Sequence, residues 1–157
     1  MSAWTDVQSW IRRQGTPITT GIVGILVAVS LVFWFTVSDG IQYLTFGRDW
    51  LTQPWTLITY PFAYPGLNGA GQIIAFIFLA FWLYFVGGTV ERDLGPKKYI
   101  GFWLAMTILP ALILWLGDLA LRHQLFLFGP SLPVAALTVA WGFRNPEMTI
   151  RLYAILP

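Results

Sequence analysis

The chain has no cysteine and a single histidine, and residues 14–38, 50–90, 99–117 and 124–143 contain no Asp, Glu, Lys or Arg. The missing cysteine excludes a disulfide framework, a thiolate nucleophile and a cysteine-based metal site. Charged residues make up 10% of the chain against 57% hydrophobic ones, which excludes an ordinary soluble domain. No phosphate-binding loop, paired intramembrane carboxylates or metal-ligand cluster is visible. That disfavours a proton pump or ion transporter, which place ionisable groups at mid-membrane. What is present is apolar length. A hydrocarbon core of ~30 Å needs about 20 apolar residues in a helix, and each charge-free stretch supplies them. At 157 residues there is room for one bundle and no separate soluble domain. The expectation is an all-α integral membrane protein.

The charges between these stretches sort by side. Threading the chain alternately through a bilayer puts Arg12, Arg13, Arg92, Lys97, Lys98, Arg144 and Arg151 on one face and only Arg48 and Arg122 on the other. Such asymmetry marks the cytoplasmic face, so the N-terminus is expected there, in a plasma or inner membrane. The net charge of +2 is then topological and calls for no nucleic-acid partner. The first apolar run is too long for a cleaved signal peptide and is expected to remain as a helix.

Residues 1–16 carry Trp4, Val7, Trp10 and Ile11 at helical spacing, which fits a cytoplasmic interfacial segment. Four spans follow, at about 17–37, 71–90, 100–117 and 124–143. In the first, Gly24 and Ala28 form a small-residue pair suited to close helix approach. Residues 38–69, rich in proline and glycine, cannot be a continuous helix. They read as a long interfacial loop with Trp50, Trp55, Tyr60, Phe62 and Tyr64 at headgroup depth. Pro110 is expected to kink the third span. Pro130 and Pro133 hold the fourth helix to a start near Ser131, too short to cross alone, so 124–130 must enter as irregular chain enclosed by protein. Span four is therefore expected to be the most central helix. Residues 148–157 look like the start of a further helix. Glu91, Arg92 and Asp93 read as an ion-pair cluster at a helix end, and Asp118 as a solvated one.

The order of a long aromatic loop, the run Phe81-Trp82-Leu83-Tyr84-Phe85 with Glu91, a kinked helix and a short helix introduced by Gly129-Pro130-Ser131 resembles the rhomboid family of intramembrane serine proteases. Members carry a segment like TxxFxHxxxxHLLFNMLxLWxFGxxxE and later GxSG. Thr59-Tyr60-Pro61-Phe62-Ala63-Tyr64 is similar to the start of the first, and Trp82 through Glu91 to its end. Asn145-Pro146 and Ile150-Arg151-Leu152 look like the beginning of the family's fifth helix. The resemblance implies a rhomboid-like bundle of four transmembrane helices with a long interfacial first loop and a short fourth helix, as a single domain over 1–157. It also implies a serine nucleophile at Ser131, oxyanion donors on the second span, and a histidine base on a later helix.

The chain departs from that pattern. Counted back from Trp82, the oxyanion His and Asn positions fall at Ile73 and Ile77, neither of which can donate a hydrogen bond. The second glycine of GxSG is Leu132. A serine hydroxyl needs an adjacent base, and the lone His123 lies in a loop eight residues before Ser131. Ser131 is therefore expected to cap the short helix. His123 is expected to contact solvent or headgroups, with ligation of a metal or pigment as the weaker alternative. The expectation is a non-catalytic rhomboid-like protein without a cofactor. It would bind transmembrane helices of other membrane proteins, as an accessory or structural subunit of a hetero-oligomeric complex or as a client-binding adaptor. Ala135, Ala136 and Ala140 on span four are the candidate partner interface. The alternative is a rhomboid serine protease, with Ser131 as its nucleophile, whose last helices lie beyond Pro157.

Overall fold

The structure, a computed structural model, describes residues 15–35, 38–64, 69–121 and 126–146. The expected interfacial segment at 1–14, His123 and the expected helix at 148–157 lie outside them. The described residues form helices α1 (Pro17–Phe35), α2 (Thr56–Thr59), α3 (Ala70–Leu94), α4 (Pro96–Leu121) and α5 (Ser131–Arg144), with short 3-10 turns between α1 and α3. Three of them, α1, α3 and α4, are long and apolar enough to cross a membrane. With 14 residues, α5 extends only ~21 Å at 1.5 Å per residue.

The helices alternate in direction, and two contacts show it. Glu91 near the end of α3 reaches the first turn of α1, and Arg144 at the end of α5 meets Asp93 at 3.3 Å. The connection from α3 to α4 is a single residue. Gly95 takes φ +80, in the left-handed region that favours glycine, and donates its N–H to the Glu91 carbonyl. Pro96 then opens α4 at the position where a missing N–H costs nothing. The charges between the expected second and third spans therefore sit in the terminal turns of two helices.

Burial corrects several expectations. Along α1 the inward residues are Thr19, Ile22, Leu26 and Ser30. Gly24 and Ala28 face outward, so close approach to the bundle does not use them. It happens instead at Gly87 and Gly88 of α3. A methyl group on Gly87 would lie 2.7 Å from Tyr99 Oη, and one on Gly88 would lie 3.3 Å from Thr16 Cγ2. Glu91 is fully buried rather than part of a surface cluster. Its carboxylate accepts the backbone N–H groups of Ile18 (2.9 Å) and Thr19 (2.7 Å), two donors that the first turn of α1 leaves without helical partners. A negative group there also complements the helix dipole. Asp118, expected in solvent, is 1% exposed. Neither of its oxygens has a hydrogen-bond partner among the described residues.

The helix at the centre is α3, not α5. It packs against α1, α4 and α5. Its seam with α5 is aromatic: Trp82 and Phe85 each lie 6.4 Å from Trp141, and Trp82 Nε1 donates to Thr138 Oγ1 at 2.9 Å. One stripe of α4 at four-residue spacing, Tyr99, Trp103, Thr107 and Ala111, is buried. Elsewhere the long helices turn Ile25, Val32, Ile74, Phe81, Ile113 and Leu116 outward. An apolar surface this continuous is stable only against lipid. The protein is an integral membrane protein.

Candidate functional site around Ser131

The short helix α5 owes its position to the loop before α3. Phe46 and Leu127 exchange both backbone hydrogen bonds (2.9 and 2.8 Å), the one bridge outside helices among the described residues. Gly129, at φ +74, donates its N–H to the Tyr60 carbonyl at 2.9 Å. The Leu127 N–H and carbonyl and the Gly129 N–H, in the irregular chain entering α5, are thus met by the long loop. Tyr60, expected at headgroup depth, is a buried pillar. It packs with Phe46 and Ala111, and its hydroxyl donates to the Thr107 carbonyl of α4 at 3.0 Å. That carbonyl adjoins the one on Met106, which Pro110 leaves without its helical donor. The helix itself runs on through Pro110.

Ser131 is the first residue of α5, after Pro130, and its hydroxyl makes no cap bond. The expected capping role does not hold, because the serine lies one position inside the helix. Instead it opens onto a crevice of about 220 Å³ lined by Tyr64, Leu79, Phe128, Gly129, Pro130 and Ser131. The Tyr64 ring rests against Phe76 of α3 at 4.9 Å. Of the backbone donors beside the serine, the Gly129 N–H is committed to Tyr60 and Pro130 has none.

A crevice at the N-terminus of a short helix, walled by the second span and roofed by an interfacial loop, is an arrangement with a sequence counterpart. A family model described as the Rhomboid domain matches residues 51–156. The chain belongs to the rhomboid family. No curated protein and no solved structure matches it significantly.

In this rhomboid the structure also corrects the register of the motif on α3. Ile77 is 61% exposed and faces away from the bundle, and Ile73 is half-buried against the main core. Neither lines the crevice; Leu79 does. The family's GxxxE spacing is met by Gly87 and Glu91, and counting back from Gly87 places the His and Asn positions at Ala75 and Leu79. Trp82 misled the count because an aromatic run offers several equivalent anchors. The glycine, held by contact with Tyr99 and Thr19, offers one. Neither Ala75 nor Leu79 carries a side-chain hydrogen-bond donor.

The alanines of α5 divide. Ala135 is exposed, and Ala136 and Ala140 are half-buried. With Leu132, Val139 and Phe143, Ala135 forms an outward stripe along the helix.

Proposed function

We propose that this rhomboid-family membrane protein is non-catalytic and works by binding other transmembrane helices, as an accessory or structural subunit of a larger membrane complex or as a client-binding adaptor. One observation carries the reading. The crevice at Ser131 presents Leu79 where an oxyanion donor would be needed, and none of its walls carries a histidine or carboxylate to act as base. A serine without an activating base is a poor nucleophile, and the loss of one oxyanion donor costs a factor of roughly 10²–10³ in rate. In this reading α5 and the chain leading into it form the fourth crossing. The Gly95 end of the bundle, rich in Lys and Arg, faces the cytoplasm together with the N-terminus. The outward stripe through Ala135, flanked by Ala136 and Ala140, receives the partner helix, the three alanines permitting close approach between the larger Leu132, Val139 and Phe143.

Membranes carrying the protein, treated with a fluorophosphonate probe, are expected to show no labelling at Ser131, and Ser131→Ala is expected to leave function unchanged. Labelling of the wild type that disappears in Ser131→Ala would establish the alternative, a serine protease. A photo-crosslinking residue at Ala135 is expected to give a discrete adduct with a partner chain, whereas one at Val32 on the outer face of α1 gives only lipid adducts.

A further inference from the structure

The long loop before α3 encloses a cavity of about 480 Å³, larger than the crevice at Ser131 and separate from it. Its size falls in the range of small-ligand sites. Its walls come from residues 41–56 and Phe126, and its polar groups are unusual for a membrane protein this poor in charge. Arg48 and Asp49 are adjacent in sequence and both line it, yet neither forms an ion pair among the described residues. Gln42 and Gln53 add two side-chain amides. Trp50 adds ring surface to the wall, packed edge-on against Trp115 at 5.6 Å, while its indole N–H is closed to solvent and does not face the cavity. Thr45 and Thr56 have already donated their hydroxyls to Ile41 and Gln53 carbonyls. Its walls thus bring together a cation and an anion, neither in an ion pair among the described residues, and two side-chain amides.

Around it, Tyr43, Leu51, Trp55 and Ile58 are exposed, and Trp55 Nε1 donates to the Tyr43 carbonyl at 2.9 Å. Aromatic and aliphatic side chains mixed with polar ones in this way mark headgroup depth in a bilayer. At that depth the abundant small ligands are phospholipid headgroups. An anionic headgroup would satisfy Arg48 and leave Asp49 facing like charge. A zwitterionic headgroup that ends in a primary ammonium satisfies both.

We propose that this cavity binds the headgroup of an aminophospholipid of the phosphoethanolamine class, and so anchors the loop that shapes the Ser131 crevice to lipid. The Arg48 guanidinium takes the phosphate in a bidentate, charge-assisted contact. The side-chain amides of Gln42 and Gln53 offer further donors to the phosphate, and Asp49 takes the ammonium. This assignment holds whether or not Ser131 is catalytic.

Native mass spectrometry of the whole protein released from detergent micelles tests it. Phosphatidylethanolamine, phosphatidylcholine and phosphatidylglycerol of equal chain length are offered at equal concentration. Phosphatidylethanolamine is expected to be retained most. Arg48→Gln is expected to lower its retention roughly tenfold, the worth of one charge-assisted contact. Asp49→Asn is expected to abolish the preference over phosphatidylglycerol while leaving total lipid retention near wild type. Arg92→Gln, exposed at the opposite end, is expected to change nothing. Equal retention of the three lipids, or retention insensitive to Arg48→Gln, overturns the site. Displacement of the lipid by equimolar soluble phosphoethanolamine overturns its assignment to lipid.

Discussion

Single residues carry unusual weight at the Gly95 end of the bundle. Glu91 stands in for a cap that α1 does not supply itself, across more than seventy residues of sequence. Its replacement leaves two backbone N–H groups unpaired in a site closed to water. Glu91→Ala is therefore expected to destabilise the protein by about 3 kcal/mol, and Glu91→Gln by less because one amide oxygen still accepts. Thermal unfolding in detergent measures both. Gly87 is tied to the same cluster. A methyl group there would press on the hydroxyl of Tyr99, which is fully buried and cannot swing aside. Gly87→Ala is expected to cost about 1–3 kcal/mol, the usual range for overpacking. Tyr99→Phe removes the oxygen in conflict, so the double variant Gly87→Ala/Tyr99→Phe is expected to lose less than the sum of the two single changes. Strict additivity in a double-mutant cycle would show that the crowding is not at that hydroxyl.

At the scale of elements, the long loop is a structural member that fixes α5. Its backbone meets Leu127 and Gly129 ahead of the helix, and its Tyr60 side chain braces α4. Burial pushes the Tyr60 hydroxyl well above its ordinary value of 10.0. The sign follows from linkage: the folded state resists ionisation that the unfolded chain accepts, so the stabilisation is complete below pH 10.0 and is lost as pH rises beyond it. Alkaline unfolding is expected to show this loss, and Tyr60→Phe to flatten it. At neutral pH that variant is expected to be less stable by about 1 kcal/mol, for the lost bond to the Thr107 carbonyl. An alkaline profile unchanged in Tyr60→Phe would assign the pH dependence to other groups.

For the whole molecule, the alternating helices place Arg48 and Lys97 at opposite ends of the bundle. Because the native chain has no cysteine, Arg48→Cys and Lys97→Cys can be labelled one at a time with a membrane-impermeant reagent. Lys97→Cys is expected to react only from the cytoplasmic side and Arg48→Cys only from the other. Reaction of both from one side would contradict the reading of the charge asymmetry and of α3 as a crossing element.

The sequence by itself determined the solvent and the family. Uncharged runs of bilayer length leave no other stable environment, and the loop, aromatic run and Gly129-Pro130-Ser131 together pointed to a rhomboid. It also determined where α5 could start, because Pro130 and Pro133 limit the chain whatever surrounds it. What it did not determine were inward and outward faces. In a span apolar on every side, hydrophobic periodicity carries no signal, so Gly24 and Ala28 looked like an interface and Ile77 looked like a site residue. The same blindness hid Glu91, whose role exists only because α3 brings a carboxylate to the start of α1. Only the tertiary structure put Leu79 opposite Ser131 and closed Gln42, Arg48, Gln53 and the distant Phe126 around one cavity. Backbone hydrogen bonds that must be met inside a membrane, and side chains that reach across helices to meet them, are properties of the packed bundle and not of any segment read alone.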